Sequence, residues 1–231
     1  MAKVWFTSDH HFGHKNIIKY CNRPFDSVID MNRGLVSLWN ETISPEDTVY
    51  VIGDVFLCKT DLIDGVIRKL NGYKILIMGN HDKSPNVMRA MFDEVHYKYN
   101  YNLPDGTPVV LQHHPNEERD YLQIHGHVHS GEPVQRNRIN VCVDLHDYRP
   151  VSLQYIEQAF AAQKFIISKE KLMSEVNITA EQFKEFLEVQ EEGEFNMLDY
   201  RGVEHFLTKE EHRAIIKNYE VLKVKHEYLI L

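Results

Sequence analysis

Lys3-Val4-Trp5-Phe6-Thr7-Ser8-Asp9-His10-His11 is a short apolar run that stops on a carboxylate and two imidazoles. An apolar stretch of this length, ended by a polar turn, is the pattern of a buried strand opening onto a loop. The same form recurs along the first 150 residues. Thr48-Val49-Tyr50-Val51-Ile52 ends at Gly53-Asp54, and Lys74-Ile75-Leu76-Ile77-Met78 ends at Gly79-Asn80-His81-Asp82. Val109-Val110-Leu111 runs into Gln112-His113-His114, Tyr121 to Ile124 into His125-Gly126-His127-Val128-His129, and Arg138 to Val143 into Asp144. Between these runs, Val28, Met31, Leu35, Leu38 and Trp39 recur at helical spacing over 27–41, and 60–70 reads as a helix with Thr60 as N-cap. Residues 94–112 read as two strands flanking the hairpin turn Leu103-Pro104-Asp105-Gly106-Thr107. In α/β sheets, binding sites gather outside the carboxyl ends of strands, so these loops are expected to share one site.

A chain of 231 residues holds one substantial α/β domain and a small appendage. The start shows no signal-peptide pattern, and no segment approaches the roughly 20 apolar residues of a membrane span, so a cytoplasmic protein is expected. Cys21, Cys58 and Cys142 lie far apart without a C-x-x-C pair and are read as free thiols. A net charge of −8 with no basic stripe argues against a double-stranded nucleic acid partner. After Pro150 the pattern changes. Ser152 to Gln163 reads as a closing helix, Lys164 to Ile167 as a short strand or linker, and 169–231 as amphipathic helical stretches, with a capping box at Thr208 and Glu211. This tail is the candidate surface for a homo-oligomer or a protein partner.

The 14 histidines are the compositional anomaly: eleven precede residue 150, and most of those eleven sit beside Gly, Asp or Asn at the ends of apolar runs. Collecting the strand-end residues gives Asp9, His11, Asp54, Asn80, His81, His113, His127 and His129. Carboxylate and amide oxygens with several imidazoles, and no cysteine, suit divalent first-row metals. Asp9-x-His11 and His127-x-His129 each place two side chains on one side of extended backbone, so one loop can supply two ligands. There are too many candidates for one ion, and one carboxylate could bridge two. His10 and His125 flank this set. His14, Asn16 and Arg23 lie in the loop after Asp9-x-His11, where a guanidinium could meet a phosphate bidentately or simply brace a short helix. His96, His146, His205, His212 and His226 read as ordinary core or surface residues.

Asp9-x-His11, Gly53-Asp54, Gly79-Asn80-His81-Asp82, His113 and Gly126-His127-x-His129 stand in the order and at the separations of the calcineurin-like metallophosphoesterase superfamily, which residues 1–160 resemble. The string from Phe12 to Phe25 looks like its small stand-alone bacterial and phage branch. The resemblance implies an α/β fold of two mixed β-sheets packed as a sandwich flanked by helices: a catalytic domain over 1–165 and a helical appendage over 166–231. It further implies two divalent ions, Mn²⁺ first, with Fe²⁺, Zn²⁺, Co²⁺ or Ni²⁺ as alternatives. Asp9, His11 and His129 would hold one ion, Asp54 would bridge, and Asn80, His113 and His127 would hold the other. His81 would be the catalytic histidine, oriented by Asp82, and His114 joins His14, Asn16 and Arg23 as a substrate contact. The reaction would be phosphoester hydrolysis by a metal-bridging hydroxide, with His81 as general acid. Only about 30 residues separate Asp82 from His113, and the hairpin takes most of them, so no cap domain covers the site. That favours a nucleotide-like or other small phosphoester; the expected activity is a phosphodiesterase, with a phosphomonoesterase as the alternative. A non-catalytic scaffold that kept the fold is the alternative of another class.

Overall fold

The computed structural model of the chain describes residues 2–58, 65–116 and 120–176. The chain divides into two compact units, Met1–Ala159 and Phe160–Leu231, and the candidate site lies wholly in the first. Two mixed five-stranded sheets make up its framework. The first has the order β10-β1-β2-β3-β4, where β1 is Val4–Thr7, β2 Thr48–Val51, β3 Tyr73–Ile77, β4 Glu94–His96 and β10 Val151–Ser152. Strands β1 to β4 run parallel, and β10 is antiparallel on β1. The second has the order β5-β6-β7-β9-β8, with β5 Tyr99–Asn102, β6 Pro108–Leu111, β7 Gln123–His125, β8 Val134–Gln135 and β9 Arg138–Asn140.

Strand alternation sorts the core into two layers. Phe6 and Tyr50 point from the first sheet toward the second, where Tyr101 meets Phe6 edge-on at 5.6 Å and Tyr50 at 5.3 Å. Val49 and Val51 point the other way, into a cluster with Met31, Leu35 and Trp39 of helix α2 (Val28–Thr42). Ser27 caps α2 by accepting the Asp30 N–H, and the four-residue spacing of its buried residues lays one apolar stripe on the sheet. Asp47 ties the sheet's lower edge together, its carboxylate accepting the Lys3 and Ser44 N–H groups and the Trp5 indole N–H.

Several local expectations change. The run 94–102 is two strands rather than one: β4 closes the first sheet beside β3, and β5 opens the second beside β6. The strand pattern continues across the crossover because both pieces are half-buried. Residues 151–152 form a strand, and the helix begins at Leu153 and runs to Val176, so Lys164–Ile167 is helical rather than a strand or linker. Short helices α1 (Ile17–Tyr20) and α3 (Pro85–Met88) were not anticipated; Leu153–Val176 is α4. Of the helix read over 60–70, the described residues 65–67 are helical, and Thr60 lies outside the described residues, as do the tail readings beyond 176. Cys21, Cys58 and Cys142 are free thiols. Among the described residues no helix is long and apolar enough to cross a membrane.

Candidate metal centre

The parallel strands β1, β2 and β3 of one sheet and β6, β7 and β9 of the other deliver their loops to a common region, and a bridge between Ser8 and Cys142 joins the two sheets there. Ligand atoms of Asp9, His11 and His129 lie within 4.8 Å of one another, as do those of Asp9, Asp54 and His113, and those of His113, His114 and His127. The Asn80 side-chain oxygen is 3.1 Å from His113 Nε2. The seven residues read as ligands from sequence thus come together in one place.

Asp9 shows how the polypeptide prepares one donor atom. Its Oδ2 accepts the Ser8 hydroxyl at 2.5 Å and the His127 N–H at 2.9 Å. Its Oδ1 is buried without a hydrogen-bond partner, 3.6 Å from His129 Nε2. Both ring nitrogens of His11 are likewise buried and unpartnered. Asp54 uses Oδ1 to accept the His81 N–H at 2.9 Å, leaving Oδ2 among three imidazoles: His113 at 3.4 Å, His11 at 3.7 Å and His81 at 3.9 Å. Buried polar atoms are normally satisfied. Orphaned carboxylate and imidazole donors aimed at shared points are what divalent ions would complete, so the donor set fits two ions. Asp9, His11, Asp54 and His127 all have left-handed backbones, with φ of 60°, 51°, 54° and 70°, so the extended backbone expected for Asp9-x-His11 and His127-x-His129 does not hold at Asp9, His11 or His127. Such conformations cost about 1–3 kcal/mol each outside glycine and gather at functional sites.

The same residues are coupled electrostatically. Burial raises the Asp9 pKa, although His113, Ser8 and His129 act against it. Burial also works to raise Asp54, but the hydrogen bond and charge of His113, the His81 N–H and the charge of His11 hold it at about 2. Burial would lower His113, yet Asp54 and Asp9 carry it up to about 8. Burial takes His11 down to about 3, so its imidazole is neutral with a lone pair to give. Two nearly inaccessible carboxylates in one pocket, Asp9 at 0% and Asp54 at 2% exposure, call for a cation.

The remaining expected residues fall into different places. The His81 side chain is 45% exposed, with Nε2 facing Asp54, as a group that meets a substrate should be. Asp82 does not orient His81 by any side-chain bond among the described residues. Its carboxylate accepts the backbone N–H groups of Gly79, Val55 and Asp54 at 2.8, 2.9 and 3.1 Å, so it pins the β2 loop to the β3 loop. Arg23 is not a substrate contact. It is buried, and its guanidinium bonds are all internal: Asp144 twice, the carbonyls of Asp9 and His10, and Met31 Sδ. Asn16 is exposed and begins α1 without a side-chain cap bond. The His14 ring lies 5.5 Å from the His11 ring, and the exposed His114 ring lies tilted 4.1 Å from that of His127, so both stand at the rim. His10 packs on Phe12 and Trp39 and is a core residue. Reading the sequence missed Asp144, which accepts from His129 Nδ1 at 2.6 Å; its one signal was its position at the end of the last apolar run.

Fold and site together define a metal-dependent phosphoesterase. The calcineurin-like phosphoesterase family model matches residues 2–224, and the chain belongs to that family, whose members act through a dinuclear metal site. An uncharacterized protein of Methanocaldococcus jannaschii is 36% identical over 190 residues, covering 77% of this chain and 98% of the relative. The gene 66 protein of Mycobacterium phage L5 is 29% identical over 186 residues, covering 62% of this chain and 87% of the phage protein. A crystal structure of a protein of unknown function from Aquifex aeolicus superposes with a TM-score of 0.58 at 30% identity, covering 68% of this chain and 99% of that one.

Proposed function

We propose that the protein is a phosphodiesterase for small, accessible, nucleotide-like phosphoesters, working with two Mn²⁺ ions. The observation that carries this reading is the convergence of three ligand groups that share Asp9 and His113, with half-exposed His81 beside Asp54. Bound there, a pair of divalent ions supplies an activated water and charge neutralisation for in-line displacement at phosphorus. Asp9, His11 and His129 would hold one ion and Asn80, His113 and His127 the other, with the Asp54 carboxylate available to both. His81 Nε2 is placed to stabilise a phosphoryl oxygen and to protonate the leaving alkoxide.

The rim supports a substrate with an aromatic part. Tyr20 is 74% exposed and meets the His14 ring edge-on at 6.1 Å, and exposed aromatic faces stack nucleobases in a sequence-tolerant way. His14 and His114 stand on opposite ligand loops as polar contacts for the substrate. Residues 166–231 are proposed as a helical appendage that carries an oligomer or partner contact, and the acidic balance disfavours a duplex partner.

The test is a hydrolysis panel with Mn²⁺, covering phosphomonoesters, an aryl phosphodiester, cyclic nucleotides and short single strands. Asp54→Asn should lose metal and activity together. His81→Ala should keep both ions and lose turnover about 10²–10⁴-fold, the contribution of a general acid. Full activity in His81→Ala removes its role, and turnover of no substrate with two ions bound moves the protein to the scaffold class.

A further inference from the structure

We infer that Arg23 and Asp144 form an orienting clamp for one of the two metal positions, presetting His129 and the backbone of the Asp9–His11 loop before an ion arrives. The inference rests on the two-ion reading above and adds two positioning residues to it.

Arg23 and Asp144 are separated by 121 residues, and their side chains are 0% and 4% exposed. A guanidinium offers five N–H donors in a rigid fork. Nε and one terminal nitrogen bind both oxygens of Asp144 at 2.8 Å, a bidentate pair. The other donors reach the carbonyls of Asp9 and His10, each at 2.8 Å, and Met31 Sδ at 3.5 Å. An ion pair buried this fully is a poor device for stability alone, since desolvation offsets its attraction. What it does hold is specific. The two carbonyls belong to the loop in which Asp9 and His11 adopt left-handed backbone, so the guanidinium fastens the turn that aims both ligands.

The carboxylate end acts on the third ligand of the same set. Asp144 Oδ2 takes Arg23 on one side and His129 Nδ1 on the other at 2.6 Å. An ionised carboxylate only accepts, so Nδ1 carries the proton and Nε2 the lone pair. That lone pair belongs to the nitrogen 3.6 Å from the unpartnered Oδ1 of Asp9. Cys142 Sγ, 3.5 Å from Asp144 Oδ2, closes the other side. The clamp therefore touches the loop of Asp9 and His11 and the ring of His129. Among the described residues it hydrogen-bonds none of Asp54, Asn80, His113 or His127. Outer partners of this kind fix tautomer and orientation, and their loss typically weakens metal binding by about 10–100-fold.

The experiment is calorimetric titration of the full-length, metal-stripped protein with Mn²⁺, for wild type, Asp144→Asn and the charge-neutral double variant Arg23→Met/Asp144→Asn. The double variant leaves no buried unpaired charge and so guards against a failure to fold. Wild type should take up two ions. Both variants should bind one ion about 10–100-fold more weakly and the other within about twofold of wild type. Long-range ¹H–¹⁵N spectra should place the wild-type His129 proton on Nδ1 and show that preference lost in Asp144→Asn. Folded variants with both affinities unchanged, or with both weakened equally, overturn the clamp and leave a structural ion pair. A wild type that binds no Mn²⁺ overturns the metal reading beneath it instead.

Discussion

Replacing Asp82 by alanine separates a scaffolding carboxylate from a catalytic one. The carboxylate accepts three backbone N–H groups, from Gly79, Val55 and Asp54, and no other side chain among the described residues receives those donors. A buried donor without a partner costs about 1–3 kcal/mol, which puts the upper bound for three near 9 kcal/mol. Two corrections lower it. Asp82 is half-buried, so water recovers part of the loss. Burial, with the charge of Asp54 adding to it, also raises the Asp82 pKa, so the ionised group is held against a desolvation cost that alanine removes. The net expectation is a loss of about 2–4 kcal/mol, a large share of the 5–15 kcal/mol typical of a domain. Asp82→Asn keeps one acceptor oxygen and sheds the charge, so it should lose about half as much. Urea unfolding followed by circular dichroism, with EDTA present throughout, isolates the fold from any metal contribution. Asp82→Ala unfolding within 0.5 kcal/mol of wild type, with turnover abolished, refutes the anchoring role and restores a part for Asp82 at His81.

Two further outcomes follow from other anchors. Burial works to raise Asp47, but the Lys3 and Ser44 N–H groups and the Trp5 indole bind its carboxylate and leave its pKa below the ordinary 3.8. Its stabilisation is therefore complete above that value and lost as pH falls through the folded one, so wild type should weaken below about pH 4 while Asp47→Asn, already weaker by about 2–4 kcal/mol at pH 7, shows a flatter acid limb in equilibrium unfolding. At Gly126 an added Cβ would overlap Asp9 Oδ2 and Ser8 Oγ and come within 2.8 Å of Ser8 Cβ. Gly126→Ala should cost about 1–3 kcal/mol and displace the Asp9 carboxylate, seen as a selective fall in bound Mn²⁺; unchanged metal content argues that Asp9 does not need that position.

The candidate ligands were readable because each closes an apolar strand, and a strand end is a local pattern. Asp9, Asp54, His113 and His127 could be found from the few residues on either side of them. The partners that hold them are not local. Arg23 sits in a loop whose sequence equally suits phosphate binding, and only the fold brings it to Asp144, 121 residues away. Asp82, next to His81, looked like its partner, yet the chain turns its carboxylate onto the backbone of the β2 loop. The two-residue strand β10 and the split of 94–102 between sheets are set by tertiary pairing, to which hydrophobic periodicity is blind.

That division has a physical reason. Four candidate ligand residues in left-handed backbone carry a combined strain of about 4–12 kcal/mol, which no single loop could retain alone. Each loop is instead held by a group from another one. Asp9 accepts the His127 N–H, Asp54 the His81 N–H, and Asp82 the N–H groups around Asp54, while Arg23 grips the Asp9 and His10 carbonyls. Two of these anchors, Asp9 and Asp54, are themselves expected ligands, each giving one oxygen to the polypeptide and leaving the other for an ion. The hydrogen bonds that keep the loops strained thus also aim the donors, and loosening any one of them should disturb metal geometry before it unfolds the sheets.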